Sequence, residues 1–564
     1  MSHSQHVTGK FEQFIYNTIT HKSRKLYVIL VVLGLLAGSI MMFPTKLVKA
    51  KMLPGKSTNT FSIYIDTPTG SSISQTKQVT QCIENIMQKE KEVTNIETYL
   101  AQGSPLDYAG LVKGSGMKQG EQYSEMVINL TDKHEREEPS YLMVQRLRPV
   151  LQSKCSPLVS GTNIKMIEMP AGPPTLASIV VEVYGKDNTK VVGLAKEVAS
   201  ILSKTKGLVD VDVMSDEIYK KYELIPLKDK ISRSGLTVDQ INKIIYLAFE
   251  GMAVATKNTI ELNDQVSIFV VLKDKSQTID KNNISYLRNK LSELSLMNKK
   301  GLMIPLTEVV DIKEVNSQPT IFHKDLKTMV NVTAETDMVS QVYPLLEARE
   351  TMLKYFSKKY EVTKVPGITT YMFDLNLKDK VTGEQYLLRW DGEMKVTLDT
   401  FRDLGGAFIA ALILIFLLLV VYYKSFALSG IILGGSFLSI IGVIFGHWVT
   451  DLITTQTFFL TATSLIGFIA LMGISSRNSL LLIDFAKDLI INKGIEKNRA
   501  IAIASATRAK PIMLTAIAII LGSALLASDP VFGGLGIALI SGTVAAVVIS
   551  LLFIPVLMSN TKAL

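Results

Sequence analysis

The sequence predicts a membrane α-helical bundle carrying a large α+β insert, and three observations lead there. Six apolar segments, at about 25 to 43, 405 to 423, 427 to 447, 458 to 487, 511 to 527 and 533 to 556, are each long enough to cross the ~30 Å hydrocarbon layer as a helix. Between the first and the second, residues 45 to 400 hold no such segment and alternate strand-like stretches with amphipathic helical ones. The composition fits neither extreme, with 47% hydrophobic residues and a mean hydropathy of +0.27 set against 20% charged residues.

Residues 1 to 24 are polar and basic, with Lys10, Lys22 and Arg24, and place Phe11, Phe14 and Ile15 on one helical face. That pattern suits a helix lying on the inner membrane surface. The first span, 25 to 43, stops at Pro44, and it lacks a small-residue cleavage site, so it reads as a retained anchor. The insert then reads β-α-β twice: strand 61 to 66, helix 73 to 92 and strand 95 to 100, followed by strand 123 to 130, helix 139 to 154 and strand 163 to 169. This first unit covers 44 to 170, and each of its helices must bury one side on a shared sheet.

A second copy begins with strand 177 to 185, helix 188 to 204 and strand 208 to 214, and resumes only at strand 329 to 335 and helix 341 to 358. It therefore takes residues 171 to 215 and 325 to 400, interrupted by an insertion at 216 to 324 with helix 237 to 249, strand 266 to 272 and helix 282 to 294. Inside that insertion, 251 to 265 has hairpin character, either an arm reaching a neighbouring subunit or an ordinary surface hairpin. The two cysteines, Cys82 and Cys155, fall in the two helices of the first unit; they have no metal-ligand spacing, and a single bridge between them stays open as an alternative. The 22 methionines are dispersed, and Met166 and Met169 have the spacing of neither a strand face nor a tight metal site, so core packing is the reading for them.

The net charge of +9 reflects topology rather than nucleic acid, because basic residues gather at the ends of apolar segments. The loop 486 to 510 carries Lys487, Lys493, Lys497, Arg499, Arg508 and Lys510 against Asp488 and Glu496, whereas the loops near 451 and 529 carry acid and no base. Both termini are expected on the cytoplasmic side, with the insert 45 to 400 outside.

The fourth span holds an arginine. Arg477 lies ten residues, about 15 Å, before Lys487, too far to snorkel comfortably to the interface. A cation at that depth is expected to face a bundle interior and to mark an ion or proton path, with a structural role tying helices together as the plainer reading. Asn478, Ser475 and Ser476 are expected beside it, and Asp484, two turns on near the cytoplasmic end, is too distant to be a direct partner. No Asp or Glu falls near mid-membrane in any of the six segments; Asp403 and Asp484 stand only at entrance and exit. The cation is present and the acid that a proton relay needs is not.

Several stretches resemble one half of a resistance-nodulation-division (RND) efflux transporter: GISSRNSLLLIDFAKDL at 473 to 489, RAKPIMLTAIAIILGSALLAS at 508 to 528, VKAKMLPGKSTNTFSIYIDTPTGSS at 48 to 72, MPAGPPTLASIVVEVYG at 169 to 185 and FRDLGGAFIAALILIF at 401 to 416. The resemblance implies a C-terminal half made as a separate polypeptide, with ferredoxin-like (split βαβ) porter modules, a docking subdomain at 216 to 324 and a five-helix membrane region at 401 to 564. It places Arg477 where these pumps carry the cationic member of the proton relay, commonly lysine, and aligns Thr515 and Arg508 with its threonine and with the basic residue near its cytoplasmic mouth. Arginine at 477 keeps the charge but cannot readily give up a proton, so an electrostatic role follows. Taken alone, Thr515 reads as a back-bonded helix hydroxyl and Arg508 as a positive-inside residue.

Further implications are a proton-driven exporter of small amphiphilic compounds in the bacterial inner membrane, with no cofactor beyond the proton-motive force. Its partners would be an N-terminal-half polypeptide with membrane aspartates, a periplasmic adaptor and an outer-membrane channel, in a trimeric assembly. The alternatives are an accessory subunit of protein secretion from the same superfamily and an inactive truncated remnant. An enzyme is not expected, since no phosphate loop, zinc spacing or nucleophile motif is found.

Overall fold

The computed structural model describes residues 2–52, 57–105, 108–168, 175–260, 265–271, 284–337, 340–365, 372–454 and 457–564, with side chains from residue 9 onward except at 108, 109, 117 and 286. Among them are six helices long and apolar enough to cross a membrane: Lys22–Met41, Glu393–Tyr423, Phe426–Ile453, Ala462–Ile491, Lys497–Ala527 and Gly533–Asn560. Met169, the hairpin tip at 261–264 and the first residues of the helix expected from 282 lie outside the described residues.

The spans depart from the sequence reading at their ends. The second begins at Glu393 and the fifth at Lys497, a dozen or so residues before the apolar runs, because polar first turns continue the helix outside the apolar zone. Pro511 sits within the fifth helix rather than opening it. The third is two helices, Phe426–Phe437 and Ile440–Ile453, parted at Leu438 and Ser439, where the Ser439 hydroxyl bonds the Ser436 carbonyl at 2.7 Å. The fourth starts at Ala462 and not at Phe458, since Leu460 is held in extended form by backbone bonds to Lys49 and Lys51. Glycine allows close crossing at Gly442, where a Cβ would stand 2.5 Å from the Ser541 carbonyl, and at Gly536, 2.5 Å from the Ala527 nitrogen. Gly430 and Gly434 meet nothing and do not share that role. The N-terminal helix Ser2–Thr20 turns Ile15 and Ile19 into the bundle core against the start of the fifth span, leaving Phe14 exposed.

The first outer module is a four-stranded antiparallel sheet. Thr60–Asp66 lies between Gln119–Leu130 and Asn163–Glu168, and Val93–Gln102 pairs with the far side of Gln119–Leu130. Ile63, Ile65, Met126, Ile128, Ile164 and Met166 face its two helices, Ile73–Met87 and Ser140–Lys154, which return Val79, Ile83, Met143 and Leu147 to the same core. A Cys82–Cys155 disulfide ties these helices together, closing the alternative that the sequence left open.

The second module repeats this pairing. Ile179–Gly185 lies between Lys327–Thr336 and Gln385–Asp391, with Leu208–Met214 on the outer side of Lys327–Thr336 and the helices Asn188–Leu202 and Val342–Phe356 covering one face. Its closing strands, Leu375–Asp379 and Gln385–Asp391, went unread in the sequence, yet Trp390 and Leu388 are core residues. The segment between the two halves of this module leaves and re-enters along a ribbon of Lys220–Pro226 paired with Val310–Asn316, and builds its own small core around Ile241, Leu291 and Leu306. Both strands of its hairpin, Met252–Lys257 and Val266–Val270, are exposed at every residue.

Candidate functional site in the fourth span

Thr461 caps the fourth span: its hydroxyl accepts the Ser464 N–H, and the Ser464 hydroxyl oxygen accepts the Thr461 N–H at 3.0 Å. From there the helix runs unbroken to Ile491, and at 100° per residue it deals consecutive residues to different sides. The polar run Ser475 to Asn478 is therefore divided rather than clustered. Ser475 and Asn478, three apart, are buried among neighbouring helices, whereas Arg477 is exposed. Ser476 turns its hydroxyl back onto the Met472 carbonyl and takes no part in a site.

The expectation that Arg477 faces the bundle interior is thus corrected: it points out of this six-helix bundle. It belongs to an exposed stripe of Ile466, Ala470, Gly473, Arg477, Leu481 and Asp488, spaced by three, four or seven residues. Gly473, one turn before it, has open space where a Cβ would project. Arg477 stands midway along the helix, and among the described residues it makes no ion pair and no hydrogen bond. Asp484 has another partner, accepting the Tyr423 hydroxyl of the second span at 2.6 Å.

The structure does not bring Thr515 and Arg508 into contact with Arg477. Thr515 is exposed on the fifth span with its hydroxyl bonded back to the Ile512 carbonyl at 2.9 Å, the back-bonded state expected of a helix threonine. Arg508 lays its guanidinium over the Phe485 ring at 5.0 Å and leaves its Nε buried without a partner. What these residues offer is an outward-facing fixed charge at Arg477, chemistry suited to receiving a carboxylate from a helix packed against Gly473, while the Thr515 proton is given to its own helix. No group of three or more His, Cys, Asp or Glu among the described residues could hold a metal.

A polar link that the sequence reading passed over lies nearer the outer end. His447 of the third span is fully buried, with Nδ1 at 2.8 Å from the Val443 carbonyl and Nε2 at 2.8 Å from the Ser464 hydroxyl. A carbonyl only accepts, so Nδ1 carries the proton and Nε2 receives the Ser464 hydroxyl, pinning the third span to the cap of the fourth. The signal was there, a lone histidine in an apolar run, but its partner is seventeen residues away across a turn.

The family model described as AcrB/AcrD/AcrF matches residues 3–360 and 373–560. The chain is 23% identical over 536 residues to the swarming motility protein SwrC of Bacillus subtilis, covering 93% of this chain and 44% of that protein. It is 22% identical over 442 residues to the multidrug resistance protein MdtC of Photorhabdus laumondii, covering 76% and 38%. Among solved structures, a heavy metal efflux pump superposes with a TM-score of 0.72 at 17% identity, covering 99% of this chain and 51% of that one. The chain thus spans less than half the length of the curated relatives it matches.

Proposed function

The chain belongs to the AcrB/AcrD/AcrF family of membrane transporters, and on that premise we propose that it is one half of a proton-driven RND efflux pump exporting small amphiphilic compounds. The observation that carries the proposal is Arg477, a cation midway along a membrane helix, facing outward beside Gly473, with no acid of the described residues bonded to it. A charge left there costs a few kcal/mol or more, so a second bundle with carboxylates at that depth is needed. A second copy of this chain, packed on the same face, would set arginine against arginine, so the partner is a different sequence: an N-terminal-half polypeptide bearing membrane aspartates. In this reading Thr515 and Arg508 flank the relay as hydroxyl and mouth residue, while Asn478, Ser476 and Asp484 hold their helices.

The two outer units act as split βαβ porter modules, and the segment 216 to 324 as a docking subdomain. The Cys82–Cys155 disulfide supports an extracytoplasmic position for them, since disulfides persist in oxidising compartments. Both termini then face the cytoplasm of a bacterial inner-membrane protein, and a trimer with a periplasmic adaptor and an outer-membrane channel completes the pump. The test is affinity purification of the chain from its native membrane in mild detergent followed by mass spectrometry. Recovery of a second six-span protein with aspartates in its fourth span is expected; a chain that purifies alone and drives proton-linked export in reconstituted vesicles overturns the half-pump reading.

A further inference from the structure

The disulfide of the first module has two unequal ends. Cys155 closes the helix Ser140–Lys154, with its N–H on the Leu151 carbonyl at 2.9 Å, and has no exposed surface. Met143, Leu147, Leu151, Ile164 and Met166 belong to the core that encloses it. Cys82 lies on the flank of Ile73–Met87, only partly buried against that core. Beside it runs an exposed stripe of Gln78, Gln81 and Asn85, spaced by three and four residues. A reagent that approaches the folded module from solvent therefore meets the Cys82 end of the bond.

The chemistry makes that inequality directional. Disulfides form and break by attack of a thiolate on one sulfur, through a mixed disulfide, and access decides which sulfur takes part. Chain order points the same way. On a chain delivered N-terminus first, Cys82 arrives before Val93–Gln102 and Gln119–Leu130, and Cys155 follows both strands. The separation of 73 residues corresponds to about 4 to 15 s of synthesis. Uncatalysed disulfide chemistry runs over minutes to hours, longer than a small module takes to fold, so an oxidant that acts slowly finds Cys155 already enclosed.

We infer that the bond is installed outside the membrane by a dithiol oxidase, a protein of the C-x-x-C type that hands its own disulfide to Cys82, and that Cys155 resolves the exchange. The Cys82 thiolate attacks one sulfur of the oxidase disulfide, forming a mixed disulfide and releasing the oxidase's other cysteine as a thiolate. The Cys155 thiolate then attacks the Cys82 sulfur, and the oxidase's first cysteine leaves as the second thiolate. Two electrons pass from this chain's thiols to the oxidase, which ends as a dithiol, and the two thiol protons end on it through solvent. Two cysteines admit a single pairing, so no isomerase is needed. What the bond secures is the last turn of Ser140–Lys154, beyond Pro149, where the helix lacks one N–H. The inference rests on the outside placement of the insert and on nothing at Arg477.

Two measurements on the full chain test it. In detergent, the unsubstituted chain is exposed briefly to reduced glutathione, quenched in acid, alkylated and mapped by mass spectrometry. Among chains that have exchanged once, glutathione is expected on Cys82 and the alkyl group on Cys155 at least about tenfold more often than the reverse. Equal shares overturn the assignment of the two ends. In a denaturant that unfolds the module the bias is expected to vanish, and its survival there overturns burial as its cause. In cells, free thiols are alkylated without reduction in the native host and in a strain deleted for its extracytoplasmic thiol oxidases. The bridge is expected in the first and free thiols in the second. A chain bridged equally in both strains overturns the oxidase. Free thiols in both overturn the bridge together with the outside placement, and leave the reading of Arg477 to its own test.

Discussion

Cations behave differently in the two halves of this molecule. Outside the membrane span, Arg148, Lys165, Lys113 and Lys118 are largely buried, and each meets a carboxylate: Asp210, Asp212, Glu335 and Asp66 respectively, at 2.6 to 3.1 Å. In the span, Arg477 is exposed and meets none among the described residues. A chain that pairs these four cations internally has the means to pair a fifth, and the exposed Arg477, without a carboxylate among the described residues, is the observation on which the half-pump proposal rests.

The sharpest way to break that contrast is Arg477→Ala. Proton-linked export by the assembled pump is expected to fall at least about a hundredfold with expression near normal, because about 3 kcal/mol of charge pairing is lost. Arg477→Lys is expected to retain part of the activity. Resistance or vesicle-transport assays with export intact in the alanine variant would refute the membrane half of the comparison.

On the outer side the effect should appear in folding. Arg148→Ala leaves the carboxylate of Asp210 buried with only amide donors, and a loss of about 3 to 5 kcal/mol is expected in denaturant unfolding of the chain. Lys165→Met is expected to cost less, because Asp66 keeps Lys118 at 2.6 Å and Asp212, 29% exposed, regains water. Equal losses would show that burial does not separate these contacts.

A third outcome depends on pH. Glu168, at the end of the edge strand, keeps one oxygen buried without a partner, and burial pushes its carboxyl up to about 7 despite the nearby Arg148 and Ser140. The folded state therefore holds the proton more tightly than the unfolded one. The resulting stability is fully present below about pH 4.5 and is lost as pH rises through 7, amounting to roughly 3 kcal/mol. Glu168→Gln is expected to flatten thermal stability across that window, and an unchanged slope would remove Glu168 as its source.

The smallest effect is expected at Thr515. Its hydroxyl bonds its own helix, so Thr515→Val should leave the stability of the isolated chain within about 0.5 kcal/mol. If export by the assembled pump is also unchanged, Thr515 has no part in the relay.

Much of this architecture was legible beforehand, for reasons particular to each element. Spans are set by length and apolarity, and the strands and helices of the first module follow their periodicities to within a few residues at most ends. The closing strands of the second module were not legible: LNLKD and QYLLRWD are short and rich in charge, and only a neighbouring strand makes Leu388 and Trp390 a core. Arg477 was readable as a residue at depth, but not in direction. Which 100° of a helix packs inward depends on its neighbours, and glycines, alanines and serines on both sides of this one gave no amphipathic bias. The Cys82–Cys155 pairing was likewise beyond the sequence, since it rests on two helices that a sheet brings together 73 residues apart.

The second span has a mechanical consequence. Glu393–Tyr423 is a single helix of 31 residues, about 46 Å long, and no proline interrupts it. Its outer end is fastened to the second module: the Glu393 N–H bonds the Ala177 carbonyl at 3.1 Å and Gln341 bonds Thr397 at 2.9 Å. Its other end holds Asp484 of the fourth span through Tyr423. Such a rod does not absorb motion; it passes it on. A tilt of about 5° about one end carries the other through about 4 Å, comparable to the rise of two or three helical residues. A displacement at the arginine helix is thereby delivered to the module that carries Asp210 and Asp212, with Gly405 and Gly406 as the one pair of residues along the rod's length that could soften the stroke.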